Sequence, residues 1–203
     1  MGYHLLSARR RYHGVIPRVV HFSFPFLVHY YIHVDSFMLQ PLVRRSWAPR
    51  GQTPILRQWD RRDRLSAISG LSISPCRQRF NLYWALYAHN IRSAEVLGFL
   101  KDLRRHFPRG FILVWDRSRT HRAKNVQDWL VQRKRIDVEW LPPYAPDLNP
   151  MECVWSRTKY GDLANFAPDT LNTLEQAVVG SLCRTRNRRD LFRGFFQGAG
   201  LTS

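Results

Sequence analysis

The sequence predicts an α/β fold, a mixed β-sheet flanked by helices. Three observations carry that expectation. Residues Phe111–Trp115 form an unbroken apolar run, the pattern of a strand covered on both faces. The early strand-like segments follow one another without a helix between them and suit antiparallel pairing, whereas the later ones are separated by helix-length stretches that suit crossovers. Between them, Val96, Leu97, Leu100 and Leu103 recur at the helical period.

Taken in order, residues 1–27 are poorly specified, with an Arg9-Arg10-Arg11 cluster and no settled periodicity. The β-formers from Val28 to Val34 read as a strand ending at Asp35, followed by an Arg-, Pro- and Gly-rich loop from Pro41 to Pro54. Two more strands are expected, Leu65 to Ile73 and Phe80 to Ala88. Ser93 is read as the cap of the amphipathic helix, which Phe107-Pro108-Arg109-Gly110 stops. After the apolar strand and Asp116, a helix is expected from His121 to Arg133 and a short strand from Val138 to Leu141. Turn residues Pro142 to Asp147 then lead to a helix opening at Asn149. A last helix, about Thr170 to Arg184, precedes an arginine-rich tail. There is no internal repeat or low-complexity linker. The organisation read from this is one domain over 28–195, with 1–27 unspecified and 196–203 a tail.

The 203 residues carry 32 Lys+Arg against 15 Asp+Glu, a formal charge of +17, and only four of the bases are lysines. Hydrophobic content of 44% and aromatic content of 13% exclude a disordered basic tail. The charge calls for a polyanion, nucleic acid before membrane, because neutralising phosphates releases counterions. Cys76, Cys153 and Cys183 are scattered and odd in number, so neither a disulfide framework nor a zinc knuckle is indicated. The apolar stretch from Val15 to Val34 contains Pro17, Arg18, His21, Pro25, His29 and His33, which argue against a membrane span. A cytoplasmic, nucleoid-associated protein is expected.

With so few acidic residues, a carboxylate ending an apolar strand needs a reason. Asp35 and Asp116 both do so, and neighbouring strands would bring them together at their carboxyl ends. Two close carboxylates repel unless a proton or cation intervenes, and oxygen ligands select Mg²⁺ or Mn²⁺. A third acid would complete a two-ion clamp for phosphoryl transfer, with the ions roughly 4 Å apart. Glu152 is the candidate. Asn149 suits the N-cap and Pro150 the first helical position. The same spacing is a capping box, in which Glu152 would bond back to the backbone, so both readings stand at this point.

The segment from Phe111 to Lys159 resembles the catalytic core of DDE transposases of the mariner-related insertion-sequence type. The signals are the strand ending in Asp116, then His121-Arg122, then Leu141 to Trp155, which fits the pattern L-P-P-Y-(S/A)-P-x-L-N-P-x-E-x-x-W. Between Asp116 and Glu152 lie 35 residues, similar to the family's spacing. Upstream, Asp35 and the run from Arg44 to Pro54 look like the first catalytic strand and the segment after it. The resemblance covers about residues 28–195. It implies a ribonuclease H-like fold, with Asp35, Asp116 and Glu152 as the catalytic triad holding two Mg²⁺ (or Mn²⁺) ions. It also implies DNA strand cleavage and strand transfer without a covalent protein–DNA intermediate. Two departures are visible: Asp35-Ser36 where the family often has Asp-Glu, and Asp116-Arg117 where it often has Asp-Asn.

Arg44, Arg45 and Arg50 read as DNA-backbone contacts, with Trp47 expected to pack on the sheet. His121, Arg122 and Lys159 join the expected DNA-facing set, although a place near the metal ions or at a helix terminus for His121 and a solvated face for Lys159 are also open. The resemblance implies transposon-end and target DNA as partners, a homodimer, and a helix-turn-helix module from a separate protein or reading frame. No such module precedes Asp35, so the chain is expected to be a truncated catalytic domain. Two other readings stay open: a ribonuclease H-like nuclease that does not join strands, and an inactive remnant that only binds nucleic acid.

Overall fold

A computed structural model describes residues 27–52, 55, 63–74, 79–143 and 145–201. Five strands form one mixed sheet: β1 (Val28–Met38), β2 (Arg64–Ile73), β3 (Phe80–Tyr87), β4 (Phe111–Trp115) and β5 (Ile136–Trp140). Their order is β3-β2-β1-β4-β5. The first three are antiparallel neighbours, and β4 and β5 add in parallel on the other side of β1. Helix α1 (Ser93–His106) makes the crossover into β4, and α2 (Lys124–Val131) the crossover into β5. Helices α3 (Pro150–Arg157), α4 (Leu171–Arg186) and α5 (Arg189–Gly198) complete the chain.

Side-chain alternation along the strands divides the core in two. Tyr30 and Ile32 of β1, with Phe111, Leu113 and Trp115 of β4, pack against α1 and α2. Tyr31 and Phe37, with Ile112 and Val114, pack against α3, α4 and α5. The central strands are buried on both faces, which is why β4 reads as a continuous apolar run. Gly110 enters β4 at φ +102, where a Cβ would meet the Arg135 carbonyl oxygen at 2.1 Å. That close approach brings the turn before β4 against the turn before β5, with Phe111 N–H donating to Arg135 O at 3.1 Å.

Several boundaries differ from the sequence expectation. Strand β1 does not end at Asp35 but continues to Met38, because Phe37 returns to the core (5% exposed) and β2 pairs along the whole length. Arg92, not Ser93, is the N-cap of α1: its backbone N–H donates to Glu95 Oε2 at 2.8 Å. Helix α2 begins at Lys124, since His121 is taken up elsewhere, and β5 starts two residues earlier than expected. The segment read as a tail is α5: Phe192, Phe195 and Phe196 are buried beneath its arginines, and Ala199 and Leu201 are buried beyond it. Of the unspecified 1–27 segment, all but Leu27 lies outside the described residues, as do Thr53, Pro54 and Tyr144 of the sequence motifs.

Candidate active site

Asp35 has the same parity along β1 as Tyr31 and Phe37, so its side chain belongs to the face covered by α3. Asp116 follows Val114 in the alternation of β4 and continues that face. The β1–β4 register pairs Tyr31 with Val114; extended by two residues, it sets His33 beside Asp116. Helix α3 brings Glu152 to the same face and to the same end of the sheet, because Met151, Val154 and Trp155 are buried in that core.

Asn149 docks this helix. Buried to 2% exposure, it accepts from Met151 N–H at 3.1 Å through Oδ1 and donates to the Ile32 carbonyl at 3.2 Å through Nδ2. Its own N–H donates to Pro146 O at 2.8 Å. The capping-box alternative for Glu152 is thereby displaced. Glu152 Oε1 lies instead 3.3 Å from His33 Nε2.

Each aspartate has its own partners. Asp116 Oδ1 accepts from His121 Nδ1 at 2.7 Å and from Ser118 N–H at 2.9 Å. An ionised carboxylate only accepts, so the proton sits on His121 Nδ1. The ring stacks on Trp115 at 4.3 Å, and Trp115 in turn on Trp140 at 5.7 Å. Partial burial works to raise the Asp116 pKa, but the His121 and Ser118 hydrogen bonds and the His121 charge outweigh it, holding the carboxyl well below its ordinary range. Asp35 Oδ1 accepts from Ser36 N–H and from Lys159 Nζ, both at 2.7 Å. Lys159 comes from Thr158–Asp162, a π-helical turn that follows α3 directly. Cys153, beside Glu152, is no nucleophile in waiting: burial first, then the charges of Glu152 and Asp147, push its thiol pKa up.

Among the described residues no three His, Cys, Asp or Glu side chains converge closely enough to hold a metal ion. The three carboxylates share a face, but Asp35 is drawn to Lys159 and Asp116 to His121. As a donor set, three carboxylates on one face fit a hard divalent cation.

The remaining predicted site residues divide clearly. His121 was expected among the DNA-facing residues; at 0% exposure it does not face solvent and serves Asp116 instead. Lys159 is half-buried against Asp35 rather than on a solvated face. Arg44 is fastened to the segment after α3: its N–H donates to Asn165 Oδ1 and its guanidinium to Tyr160 O, both at 2.7 Å. Arg45, Arg50 and Arg122 are exposed, as DNA contacts require. Arg117 is exposed as well, so its place next to Asp116 does not crowd the carboxylate. Trp47 does not pack on the sheet; at 101% it is fully exposed. His33 was missed. The signal was present, a polar residue two positions before Asp35 and therefore on the same face.

A family model described as DDE superfamily endonuclease matches residues 30–175. The chain belongs to that family. The solved structures similar to this DDE superfamily chain include a Mos1 transposase paired-end complex with left transposon end, with TM-score 0.58 and 17% identity. That match covers 86% of this chain and 51% of that one. A Mos1 mariner paired-end complex with Mn gives 0.58 and 17%, over 88% of this chain and 54% of that one. A Mos1 transposase catalytic domain with Raltegravir and Mn gives 0.53 and 16%, over 88% and 78%. The chain spans about half the length of the paired-end-complex transposases it matches. At these identities the likeness establishes the fold, which is the ribonuclease H-like α/β architecture expected from the sequence. A search of curated protein sequences finds no match. Among the described residues no helix is long and apolar enough to cross a membrane.

Proposed function

We propose that this DDE superfamily chain catalyses metal-dependent DNA strand cleavage and strand transfer at the ends of an insertion sequence. The observation that carries the reading is the delivery of Asp35, Asp116 and Glu152 to one face of the sheet, at one end, by β1, the end of β4 and the first turn of α3. In this reading the three carboxylates hold two Mg²⁺ or Mn²⁺ ions. Bound there, the ions supply Lewis-acid stabilisation of the charge that develops in phosphoryl transfer. His121 holds Asp116 in one orientation and keeps it ionised. Lys159 balances the acidic cluster from the side of Asp35. Asn149 sets the position of Glu152. Arg45, Arg50 and Arg122 bind the DNA backbone, and Arg44 anchors the loop that carries the first two. The partners are transposon-end and target DNA, a second copy of the chain, and a helix-turn-helix protein or reading frame, with the chain acting at the nucleoid.

The test is cleavage and joining of a labelled duplex carrying the element's terminal sequence, in Mg²⁺. Nicking and joined product are expected from the wild-type chain, with both lost in Asp116→Asn at unchanged circular dichroism. Cleavage retained by Asp116→Asn overturns the triad. Hydrolysis without joining favours a nuclease, and Mg²⁺-independent binding without cleavage favours a remnant.

A further inference from the structure

We propose that His33 is a positioning residue of this centre, holding the Glu152 carboxylate toward Asp116; the inference rests on the reading of Asp35, Asp116 and Glu152 as the catalytic carboxylates. His33 sits on the strand face that carries Asp35 and within reach of Glu152. It shares β1 with Asp35 and projects from the same face, two residues earlier. The β1–β4 register, extended beyond Tyr31 and Val114, sets it beside Asp116. Its Nε2 is 3.3 Å from Glu152 Oε1, with 18% of the His33 side chain and 36% of the Glu152 side chain exposed.

Glu152 needs such a partner. At the third position of a helix a glutamate ordinarily folds back on the N-cap N–H, but here that N–H is committed to Pro146 O. The side chain is therefore free of its usual local restraint, and a glutamate left to wander forfeits rotamer entropy each time it is ordered. His33 approaches one oxygen and leaves the other open. It is a fixed post, because His33 lies within the β1–β2 ladder, opposite Ser69. Residues behind a metal-binding carboxylate act in this way, by setting its direction before a ligand arrives.

The experiment compares the wild-type chain with His33→Ala, His33→Gln and His33→Leu. The readouts are Mn²⁺ affinity, from the electron paramagnetic resonance of free Mn²⁺, and kcat and KM for cleavage of the end duplex. His33→Ala is expected to weaken Mn²⁺ binding by about 10–100-fold and to lower kcat with KM for DNA unchanged. His33→Gln, whose amide nitrogen falls near the ring Nε2, should recover most of both. His33→Leu keeps the bulk at this position but not the ring nitrogen, and should weaken Mn²⁺ binding as Ala does while leaving the melting temperature unchanged. Wild-type Mn²⁺ affinity in Ala and Leu, or no recovery in Gln, overturns the assignment. Asp116→Asn measured in parallel separates the two levels. If Asp116→Asn is inactive while His33→Ala is normal, His33 alone is misassigned; if Asp116→Asn cleaves and binds Mn²⁺ as wild type does, the reading of the centre falls.

Discussion

Lys159 Nζ stands 2.7 Å from Asp35 Oδ1, and the same ammonium lies 5.4 Å from the centre of the Phe37 ring. A cation carried on the turn after α3 thus closes onto the central strand, among carboxylates that would otherwise repel one another. Both partners are about one-fifth exposed, so the pair is shielded from water more than an ordinary surface ion pair.

Replacing Lys159 by Met leaves Asp35 without its cation. The variant is expected to lose about 1–2 kcal/mol of stability in metal-free buffer. Millimolar Mg²⁺ or Mn²⁺ should restore more of its melting temperature than it adds to the wild type. Thermal melts with and without divalent ion read this directly; identical melts and identical metal responses in the two proteins would count against it.

His121 acts on Asp116 through Nδ1 and on Trp115 through its ring face, and the two can be pulled apart. His121→Ala removes both and is expected to cost about 3 kcal/mol, as for truncation of a buried aromatic ring. It should also slow cleavage by about 10–100-fold. In His121→Asn the amide nitrogen takes the place of Nδ1 without the stack, so activity should recover more than stability does. Cleavage rates and melting temperatures on the same preparations check the split.

Asp116 also sets a pH dependence. Its folded pKa is held low, whereas the unfolded chain titrates near the ordinary aspartate value of about 3.9. As the pH falls, the unfolded state takes up the proton first. The stabilisation is therefore fully present above the unfolded pKa and is lost as the pH drops toward the folded one. Between pH 5 and pH 2, wild-type stability should fall more steeply than that of Asp116→Asn, as followed by urea unfolding at each pH. Parallel curves would remove Asp116 as the source.

The loop after β1 makes an opposite kind of prediction. Trp47 is fully exposed, so Trp47→Ala should change stability by no more than about 0.5 kcal/mol. Arg45→Ala with Arg50→Ala should leave stability equally untouched but weaken duplex binding. The plot of log affinity against log salt should flatten by about two units if each arginine meets one phosphate. Melts and salt titrations of DNA binding check both halves.

Much of this architecture was legible from the residues. The apolar run into Asp116 specified β4 because both of its faces are covered, and Asn149-Pro150 marked the start of α3 through capping chemistry. Where legibility failed, tertiary contacts decided. Strand β1 outruns Asp35 because β2 pairs past it and Phe37 finds a core, neither of which local sequence reveals. Helix α5 was hidden by Arg188, Arg189 and Arg193, yet Leu191, Phe192, Phe195 and Phe196 sit one turn apart on a single side. The capping box that the sequence allowed for Glu152 is closed by Pro146 O, which accepts the N–H such a box needs, and no local pattern foretells that bond. His121 followed Asp116 closely in the motif and a place near the metal ions was one reading of it, but spacing alone does not reveal a buried ring turned back onto the carboxylate five residues before it.

Asp35 is held in the β1–β2 ladder opposite Ala67, and Asp116 follows β4 directly, so both aspartates are fixed by the sheet. Glu152 rides on an eight-residue helix joined to the sheet through the Asn149 amide on Ile32 O. Two walls of the centre are rigid and the third is jointed. The separation of Glu152 from the two aspartates is then governed by how this short helix seats, through the Asn149 amide and the buried Met151, Val154 and Trp155.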